Sequence, residues 1–128
     1  MAEDCPFCGI DRGRVWLDNA IGIALWDAYP VSEGHALVVP RRHVASVYDL
    51  SGHDQHSLWE LVAEARQALL EKYSPDGFNI GLNDGPMAGQ TVMHAHIHVI
   101  PRYTGDVPDP RGGVRSVIPE ATAYWEEP

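Results

Sequence analysis

Hydrophobic residues occur in several short runs along the chain, and glycine, proline or a polar cluster ends each run. Segments 21–27 (Ile-Gly-Ile-Ala-Leu-Trp-Asp) and 35–39 (His-Ala-Leu-Val-Val) predict two strands, separated by the turn-forming residues 29–34. Strands joined by so short a connection favour an antiparallel pair. Further strands are predicted at 78–83, at 92–100 before Pro101, and in a short piece at 15–17.

One long helix is predicted between these strands. Ser51, followed three residues later by Asp54, is typical of a helix start, and Ser74-Pro75 favours an end near Tyr73. Apolar residues between these bounds recur at helical spacing and form one stripe, which we expect to lie in the core. The stripe consists of Leu58, Leu61, Val62, Ala65 and Leu69.

The order of these elements predicts an α+β fold. We expect a five-stranded antiparallel sheet with one long helix on one face and a short N-terminal helix. The chain has 128 residues, which is enough for one ordinary domain covering 1–128 and too few for two. From about residue 104 the chain carries four prolines and several glycines, so we expect an irregular C-terminal tail.

Composition narrows the classes of partner. The net charge of −9 repels polyanions, so nucleic acid is not an expected partner, although a local pocket could still bind a small anion. The chain has no run of about 20 apolar residues and no basic-then-apolar N-terminal signal, so we expect no membrane partner and a cytoplasmic location.

The most informative feature is a row of three histidines, His94, His96 and His98, separated by single apolar residues. Side chains of a strand alternate between its faces, so the three imidazoles should share one face and the apolar residues the other. The apolar face can pack on the helix stripe, whereas three aligned imidazoles have no packing role. By contrast, His53 and His56 at the start of the helix should face solvent.

Two kinds of chemistry could use such a row. Alternate residues of a strand are roughly 6.6 Å apart and the outer two about 13 Å apart, which disfavours one metal ion held by all three. Covalent catalysis is favoured: a neutral central imidazole attacks phosphorus while a neighbour gives a proton to the leaving oxygen or nitrogen. The preceding loop, residues 89–91, could direct backbone N–H groups and an amide at phosphate oxygens.

The segment 94–100 (His-Ala-His-Ile-His-Val-Ile) resembles the signature of the histidine triad (HIT) superfamily of nucleotide hydrolases and transferases, in which three histidines alternate with apolar residues. Supporting matches cover most of the chain before about Arg102. They are residues 5–10 (Cys-Pro-Phe-Cys-Gly-Ile), 34–40 (Gly-His-Ala-Leu-Val-Val-Pro), 42–44 (Arg-His-Val), 83–85 (Asn-Asp-Gly) and 89–92 (Gly-Gln-Thr-Val).

The resemblance implies roles for residues near the triad. His96 would be the nucleophile that takes up the nucleoside monophosphoryl group, and His98 would contact the scissile bridge and the phosphate. Gln90, Thr91 and Asn83 fall where the family holds phosphate oxygens or the leaving group. We therefore predict His96, His98 and Gln90 as the catalytic set, with Asn83 and Thr91 binding substrate together with Gln90 and His98.

Residues earlier in the chain would hold the nucleoside. The resemblance places Asp27 where the family binds the ribose hydroxyls, and Phe7, Ile10 and Ile21 where it lines the base pocket. A core role is at least as well supported for these three apolar residues. His35 is common in the family, and we expect it to make a structural hydrogen bond outside the catalytic set.

The two cysteines, Cys5 and Cys8, form a single Cys-x-x-Cys motif that could be redox-active, metal-binding or inert. Tetrahedral zinc would need two more ligands, for which His43 and His94 are candidates. The bacterial-type and uridylyltransferase-type branches that the chain resembles use such a Cys-Cys-His-His site. Structural zinc bound by these four residues is the prediction.

The sequence thus predicts a hydrolase that forms a nucleotidyl-histidine intermediate and releases a nucleoside monophosphate. Its substrate would be a dinucleoside polyphosphate, such as diadenosine tetraphosphate, or a nucleoside phosphoramidate. Alternatives are a transferase or phosphorylase, a nucleotide-binding regulator with vestigial catalysis, and a zinc-stabilised interaction module. The family resemblance further implies a homodimer in which the sheets of two subunits join.

Overall fold

The computed structural model describes residues 5–126, and these form a five-stranded antiparallel sheet with one long helix, which confirms the predicted α+β class. Among the described residues, the short N-terminal helix predicted from the sequence is only a 3-10 turn at Arg12–Arg14, and the backbone is extended again at Val15. The elements are β1 (Leu17–Asp18), β2 (Gly22–Trp26), β3 (Ala36–Pro40), α1 (Gly52–Tyr73), β4 (Gly77–Gly81) and β5 (Ile97–Arg102).

The order of strands across the sheet is β1-β2-β3-β5-β4, and every neighbouring pair is antiparallel. Strand β5, which follows the predicted active-site loop, therefore lies inside the sheet between β3 and β4. Leu37 of β3 pairs with His98 of β5, and Gly81 of β4 pairs with His98 from the other side. His98 is consequently held by two neighbouring strands.

Helix α1 packs across one face of the sheet, as its apolar stripe predicts. The Oγ of Ser51 accepts a hydrogen bond from the N–H of Asp54 at 3.1 Å, which caps the helix start. All five stripe residues are buried together with Ala95, Ile97 and Val99. The opposite face of β5, which carries His98, is left for the site.

The strand that carries the histidines is shorter and later than predicted. It begins at Ile97 rather than 92, so His94 and His96 precede it, and it continues through Pro101 to Arg102. Pro101 is tolerated because it pairs with Phe78 of β4, beyond Val99, where pairing with β3 ends. The bend before Ile97 turns His94 away from the other two rings.

The tail forms three 3-10 turns rather than regular secondary structure, in agreement with the irregular tail expected from the sequence. No helix within residues 5–126 is long and apolar enough to cross a membrane.

Candidate active site and metal centre

A cleft of about 360 Å³ opens on the sheet face opposite α1. The N-terminal loop, the end of β2, the loop before β5 and the start of β5 all contribute to its walls. Its lining residues include Phe7, Arg14, Trp26, Asp27, Asn83, Thr91, His96 and His98. Six of the predicted site residues therefore meet in one cavity, although they lie far apart along the chain.

The ring of His96 is oriented by the main chain. Its Nδ1 lies 2.8 Å from the carbonyl oxygen of His94. A carbonyl only accepts hydrogen bonds, so Nδ1 must carry the proton and donate it. The neutral ring then has its lone pair on Nε2, the nitrogen that a nucleophilic histidine needs.

The ring of His98 has the opposite tautomer, and His35 determines it. The backbone N–H of Val31 donates to Nδ1 of His35 at 3.1 Å, so the proton of neutral His35 is on Nε2. That Nε2 lies 2.9 Å from Nδ1 of His98 and donates to it. His98 therefore keeps its own proton on Nε2, so its other nitrogen is a hydrogen-bond donor.

Burial favours the neutral forms of His98 and His35. Burial is the largest cause that lowers the pKa of His98, followed by the neighbouring rings of His35 and His96, against the opposing effect of Asp27. Burial also lowers the pKa of His35, with Asp27 again opposing. The donor chain from Val31 to His98 requires neutral rings, and the lowered pKa values are consistent with it.

Asp27 lies at the end of β2 on the rim of the cleft. Its Oδ1 accepts the N–H of Tyr29 at 2.8 Å, and its Oδ2 lies 3.4 Å from Nε2 of His35. Asp27, His35 and His98 also have the composition of a metal site. Nε2 of His35 carries a proton and donates it to Nδ1 of His98, so neither of these two nitrogens has a lone pair free for a cation.

His94 is fully buried and faces a different group of side chains. Its Nε2 donates to the carbonyl oxygen of Pro40 at 2.8 Å, so its Nδ1 carries the lone pair. Burial is the largest cause that lowers the pKa of His94, which favours the neutral ring that a metal ligand must be. Nδ1 points toward Cys5, Cys8 and His43.

These four residues are close enough to hold a metal ion. Nδ1 of His94 lies 3.4 Å from Sγ of Cys5, 3.5 Å from Sγ of Cys8 and 3.1 Å from Nδ1 of His43. Sγ of Cys8 lies 3.2 Å from Nδ1 of His43. Ligands of a tetrahedral zinc lie about 3.3 Å apart for two nitrogens and about 3.6 Å for nitrogen and sulfur, so the four positions suit such an ion.

The pKa of the Cys8 thiol is raised when no cation is near, which favours its protonated form. Burial, and then the adjacent Cys5, raise the pKa of Cys8. A divalent cation has the opposite effect on a coordinating thiol and removes its proton.

The cysteine loop also forms a wall of the cleft. Phe7 lies between the two cysteines, and its ring centroid is 5.1 Å from that of His96 and 5.8 Å from that of His94. Ile10 instead packs against the buried cluster of β2 and β3, and neither Ile10 nor Ile21 is among the described residues that line the cleft. Phe7 packs on the same cluster and also lines the cleft, whereas Ile10 only packs on the cluster.

Gln90 lies outside the cleft. Its side chain is buried, its Nε2 donates to the carbonyl oxygens of Ala45 and Val92, and its Oε1 accepts the N–H of Gly85. All three bonds brace the loop before β5. This geometry does not place Gln90 with His96 and His98, whereas Asn83 and Thr91 both line the cleft.

Arg14 and His35 have positions that the sequence did not indicate. Arg14 is the one cationic residue among the described residues that line the cleft, and no motif marks it. The hydrogen bond expected of His35 exists, but its acceptor is the triad residue His98. The pattern of alternating strand residues could not reveal this contact because it crosses from one strand to another.

The sequence pattern of the HIT domain family matches residues 13–105, and the chain belongs to this family. One relative, an uncharacterised HIT-like protein of Mycoplasma pneumoniae, is 36% identical over 105 residues, which cover 79% of this chain and 73% of the relative. An adenosine 5′-monophosphoramidase of Schizosaccharomyces pombe is 34% identical, with 77% and 74% covered. A bis(5′-adenosyl)-triphosphatase of Dictyostelium discoideum is 37% identical, with 76% and 65% covered.

Solved structures share the fold. A HIT family protein from Bacillus anthracis superposes with a TM-score of 0.75 at 33% identity, and the match covers 83% of this chain and 78% of that one. A histidine triad family protein from Mycobacterium smegmatis, described as Zn-bound, gives a TM-score of 0.74 at 29% identity, with 98% of both chains covered.

Proposed function

We propose that this HIT-family protein is a nucleotide hydrolase that cleaves its substrate at the α-phosphorus through a nucleotidyl group on His96. One observation carries the proposal: the carbonyl of His94 holds the proton on Nδ1 of His96, which leaves the Nε2 lone pair of a cleft-lining ring to attack. His96 immediately precedes the packed strand β5, so the attacking atom is held next to a rigid element.

The other cleft residues have complementary roles. His96 Nε2 forms a bond to phosphorus while the bond from phosphorus to the leaving atom breaks, and the electron pair departs with that atom. The Nε2–H of His98 donates a hydrogen bond to the leaving atom or an adjacent phosphate oxygen. Water then attacks phosphorus, the bond to His96 breaks, and a nucleoside monophosphate is released.

The substrate is held by groups that suit a nucleotide. The carboxylate of Asp27 can accept the ribose hydroxyls, Phe7 can stack on the base, and Arg14, Asn83 and Thr91 can donate to phosphate oxygens. Relatives named as a monophosphoramidase and a dinucleoside triphosphatase support both a nucleoside phosphoramidate and a dinucleoside polyphosphate as substrate.

We further propose that Cys5, Cys8, His43 and His94 bind structural zinc, which identifies the branch of the family with a Cys-x-x-Cys motif. The distances among the four ligand atoms suit tetrahedral zinc, and the Zn-bound relative supports the choice of metal. A bound ion would join three segments that are distant in sequence and fix the position of Phe7. It would supply a structural cross-link.

A homodimer is also proposed. Within residues 5–126, strand β4 pairs only with β5, so its other edge has backbone groups available for a second copy of the sheet. Light scattering after size exclusion should give twice the chain mass, and a monomer across micromolar concentrations would contradict this proposal. The cytoplasmic location remains a prediction.

The mechanism can be tested with His96→Ala and a matched control, His56→Ala, which removes an exposed imidazole from α1. The His96 variant should lose turnover and still bind a nucleoside monophosphate, whereas the control should behave as wild type. A substrate with a chiral phosphorothioate should be hydrolysed with retention, because two displacements occur. Inversion, or a near-normal rate for His96→Ala, would refute the covalent route.

A further inference from the structure

The cleft carries Arg14, the one cationic residue among the described residues that line it. The turn that contains Arg14 is held by its own hydrogen bonds. The carbonyl oxygen of Asp11 accepts the N–H of Arg14 at 2.9 Å, and its carboxylate accepts the N–H of Gly13 at 3.2 Å. Where the turn ends, the N–H of Val15 donates to the carbonyl oxygen of Arg12 at 3.1 Å. These bonds fix the position of the Arg14 backbone at the cleft.

The chain that follows the turn shows at which end of the cleft Arg14 lies. The N–H of Trp16 donates to the carbonyl oxygen of Ala24 at 3.1 Å, and Leu17 of β1 pairs with Ala24 of β2. The two strands are antiparallel, so the chain before Trp16 runs alongside the last residues of β2. Asp27 directly follows β2 and also lines the cleft. Arg14 therefore lies at the end of the cleft that holds Asp27.

The aromatic ring of Phe7 belongs to the same end of the cleft. Val15, the residue after Arg14, packs on the same buried cluster of β2 and β3 as Phe7. In the proposed function Phe7 stacks on the face of the base. A base that is stacked in this way keeps its edges accessible for hydrogen bonds, and Arg14 lies beside Phe7. The guanidinium is thus placed to contact an edge of the base.

Three parts of a nucleotide could accept hydrogen bonds from Arg14: the α-phosphate, a phosphate on the ribose, and the base. In the proposed mechanism the α-phosphate lies at Nε2 of His96, and Asn83 and Thr91 can donate to its oxygens. A phosphate on the ribose would lie against the carboxylate of Asp27, which repels an anion and needs hydroxyl donors. The base is the part that remains for Arg14.

The chemistry of a guanidinium favours one base. Its planar fork has only N–H donors. Guanine presents two neighbouring acceptors, O6 and N7, on one edge, whereas adenine presents N7 beside the N6 amino group, which is itself a donor. Neither pyrimidine presents two neighbouring acceptors on that edge. Guanine is therefore the base that can accept two hydrogen bonds from one arginine there.

We propose that Arg14 determines base specificity, and that the preferred substrates are guanine nucleotides whose O6 and N7 accept its N–H groups. The inference rests on the proposed function, because Asp27 and Phe7 define where the nucleoside lies. Arg14 selects the substrate and takes no part in making or breaking bonds at phosphorus, so the chemical step is the same for every base.

The test measures kcat/KM for the unsubstituted 5′-phosphoramidates of guanosine, inosine and adenosine, whose reacting groups are identical. Inosine keeps O6 and N7 and lacks only the 2-amino group of guanosine. Arg14 is exposed, so we expect the low end of the discrimination that a bidentate contact gives. The guanosine and inosine amides should both exceed the adenosine amide at least about fivefold. Dissociation constants of the three monophosphates, measured by titration calorimetry, should follow the same order.

Three variants locate the source of this preference. Arg14→Met keeps the length of the side chain without its donors, and should bring the three bases to within about twofold of one another. Arg14→Lys keeps a donor that can contact O6 and N7, and should retain part of the preference. Arg12→Ala removes a neighbouring exposed guanidinium that pairs with Asp18 and is not among the residues that line the cleft. This control should keep the full preference.

Equal kcat/KM values for the guanosine and adenosine amides in wild type, or a preference that survives Arg14→Met, would overturn the base contact and leave the proposed function intact. An equal loss for all three bases in Arg14→Met would also overturn it, because Arg14 would then act on the phosphate. If wild type hydrolyses none of the amides and no dinucleoside polyphosphate, the proposed function is wrong. The dissociation constants of the monophosphates would then still decide the base contact.

Discussion

His35 should control catalysis through the tautomer of His98, although it does not line the cleft. Its Nε2–H donates to Nδ1 of His98, and its Nδ1 accepts the N–H of Val31. Two substitutions separate these contacts. In His35→Gln the side-chain amide can occupy the Nε2 position and still donate to His98, whereas in His35→Asn the shorter amide can accept from Val31 but cannot reach His98.

The magnitude follows from the hydrogen bond that is lost. Without a donor at Nδ1, the His98 tautomer that keeps the proton on Nε2 leaves a partly buried acceptor unpaired. An unpaired buried polar group costs about 1–3 kcal/mol, so the competing tautomer should gain by about 5- to 160-fold. Because only the donor to the leaving atom is affected, the loss should fall on kcat more than on KM.

Steady-state kinetics on an adenosine 5′-phosphoramidate, well below the melting temperature of each variant, measure this effect. We expect His35→Asn to lose kcat by at least fivefold and His35→Gln to stay within about threefold of wild type. Nucleoside monophosphate affinity should be unchanged in both. Equal losses of kcat in the two variants would show that His35 acts only by supporting the fold, and the tautomer argument would be refuted.

Four further predictions concern the same region. Cys8→Ser should reduce bound zinc from about one per chain to less than about 0.2 and lower the melting temperature, as measured by elemental analysis and calorimetry; wild type without zinc would contradict the metal centre. Asp27→Asn should weaken ribonucleotide binding about tenfold by replacing a charged acceptor with a neutral one, and leave dideoxy analogues unaffected; equal losses would mean that Asp27 does not contact the ribose. Long-range ¹H–¹⁵N spectra should show the proton of His96 on Nδ1 and that of His98 on Nε2. Since burial lowers the pKa of His98, this ring should be mostly neutral at pH 6.5, and its contribution to stability should fall as pH decreases below 6.5, because the unfolded chain then binds more protons. A His98 ring that is mostly charged at pH 6.5 would contradict the burial argument.

The local chemistry of the chain is sufficient to predict the helix and most of the sheet. Ser51 and Asp54 place the helix start correctly, because an N-cap contact involves only neighbouring residues. The apolar stripe of α1 is buried as predicted, because helical spacing alone decides which side chains share a face. The strand at 97–102 was predicted too early, since alternation continues through residues 92–96 although the backbone there is bent.

The sequence predicts which residues form the site better than it predicts how their side chains are arranged in space. The histidine spacing identifies the three rings, but it places His94 on the same face as His96 and His98, whereas the structure turns it toward Cys5 and Cys8. The position of Gln90 could not be predicted for the same reason, because its side-chain amide donates to a carbonyl that is remote in sequence, that of Ala45. Contacts of this kind depend on how loops cross, and periodicity contains no information about that.

The three histidines of the triad have the same side chain, yet their protons lie on different nitrogens, and main-chain groups determine these positions. The carbonyl of Pro40 determines which nitrogen of His94 carries the proton, and the carbonyl of His94 does the same for His96. For His98, the backbone N–H of Val31 acts through the side chain of His35. Point mutation cannot delete a carbonyl. The proton positions of the first two rings are therefore insensitive to substitutions in the walls of the cleft, whereas that of the third also depends on the side chain of His35. Residues that line the cleft can thus vary without changing which nitrogen of His96 carries the lone pair.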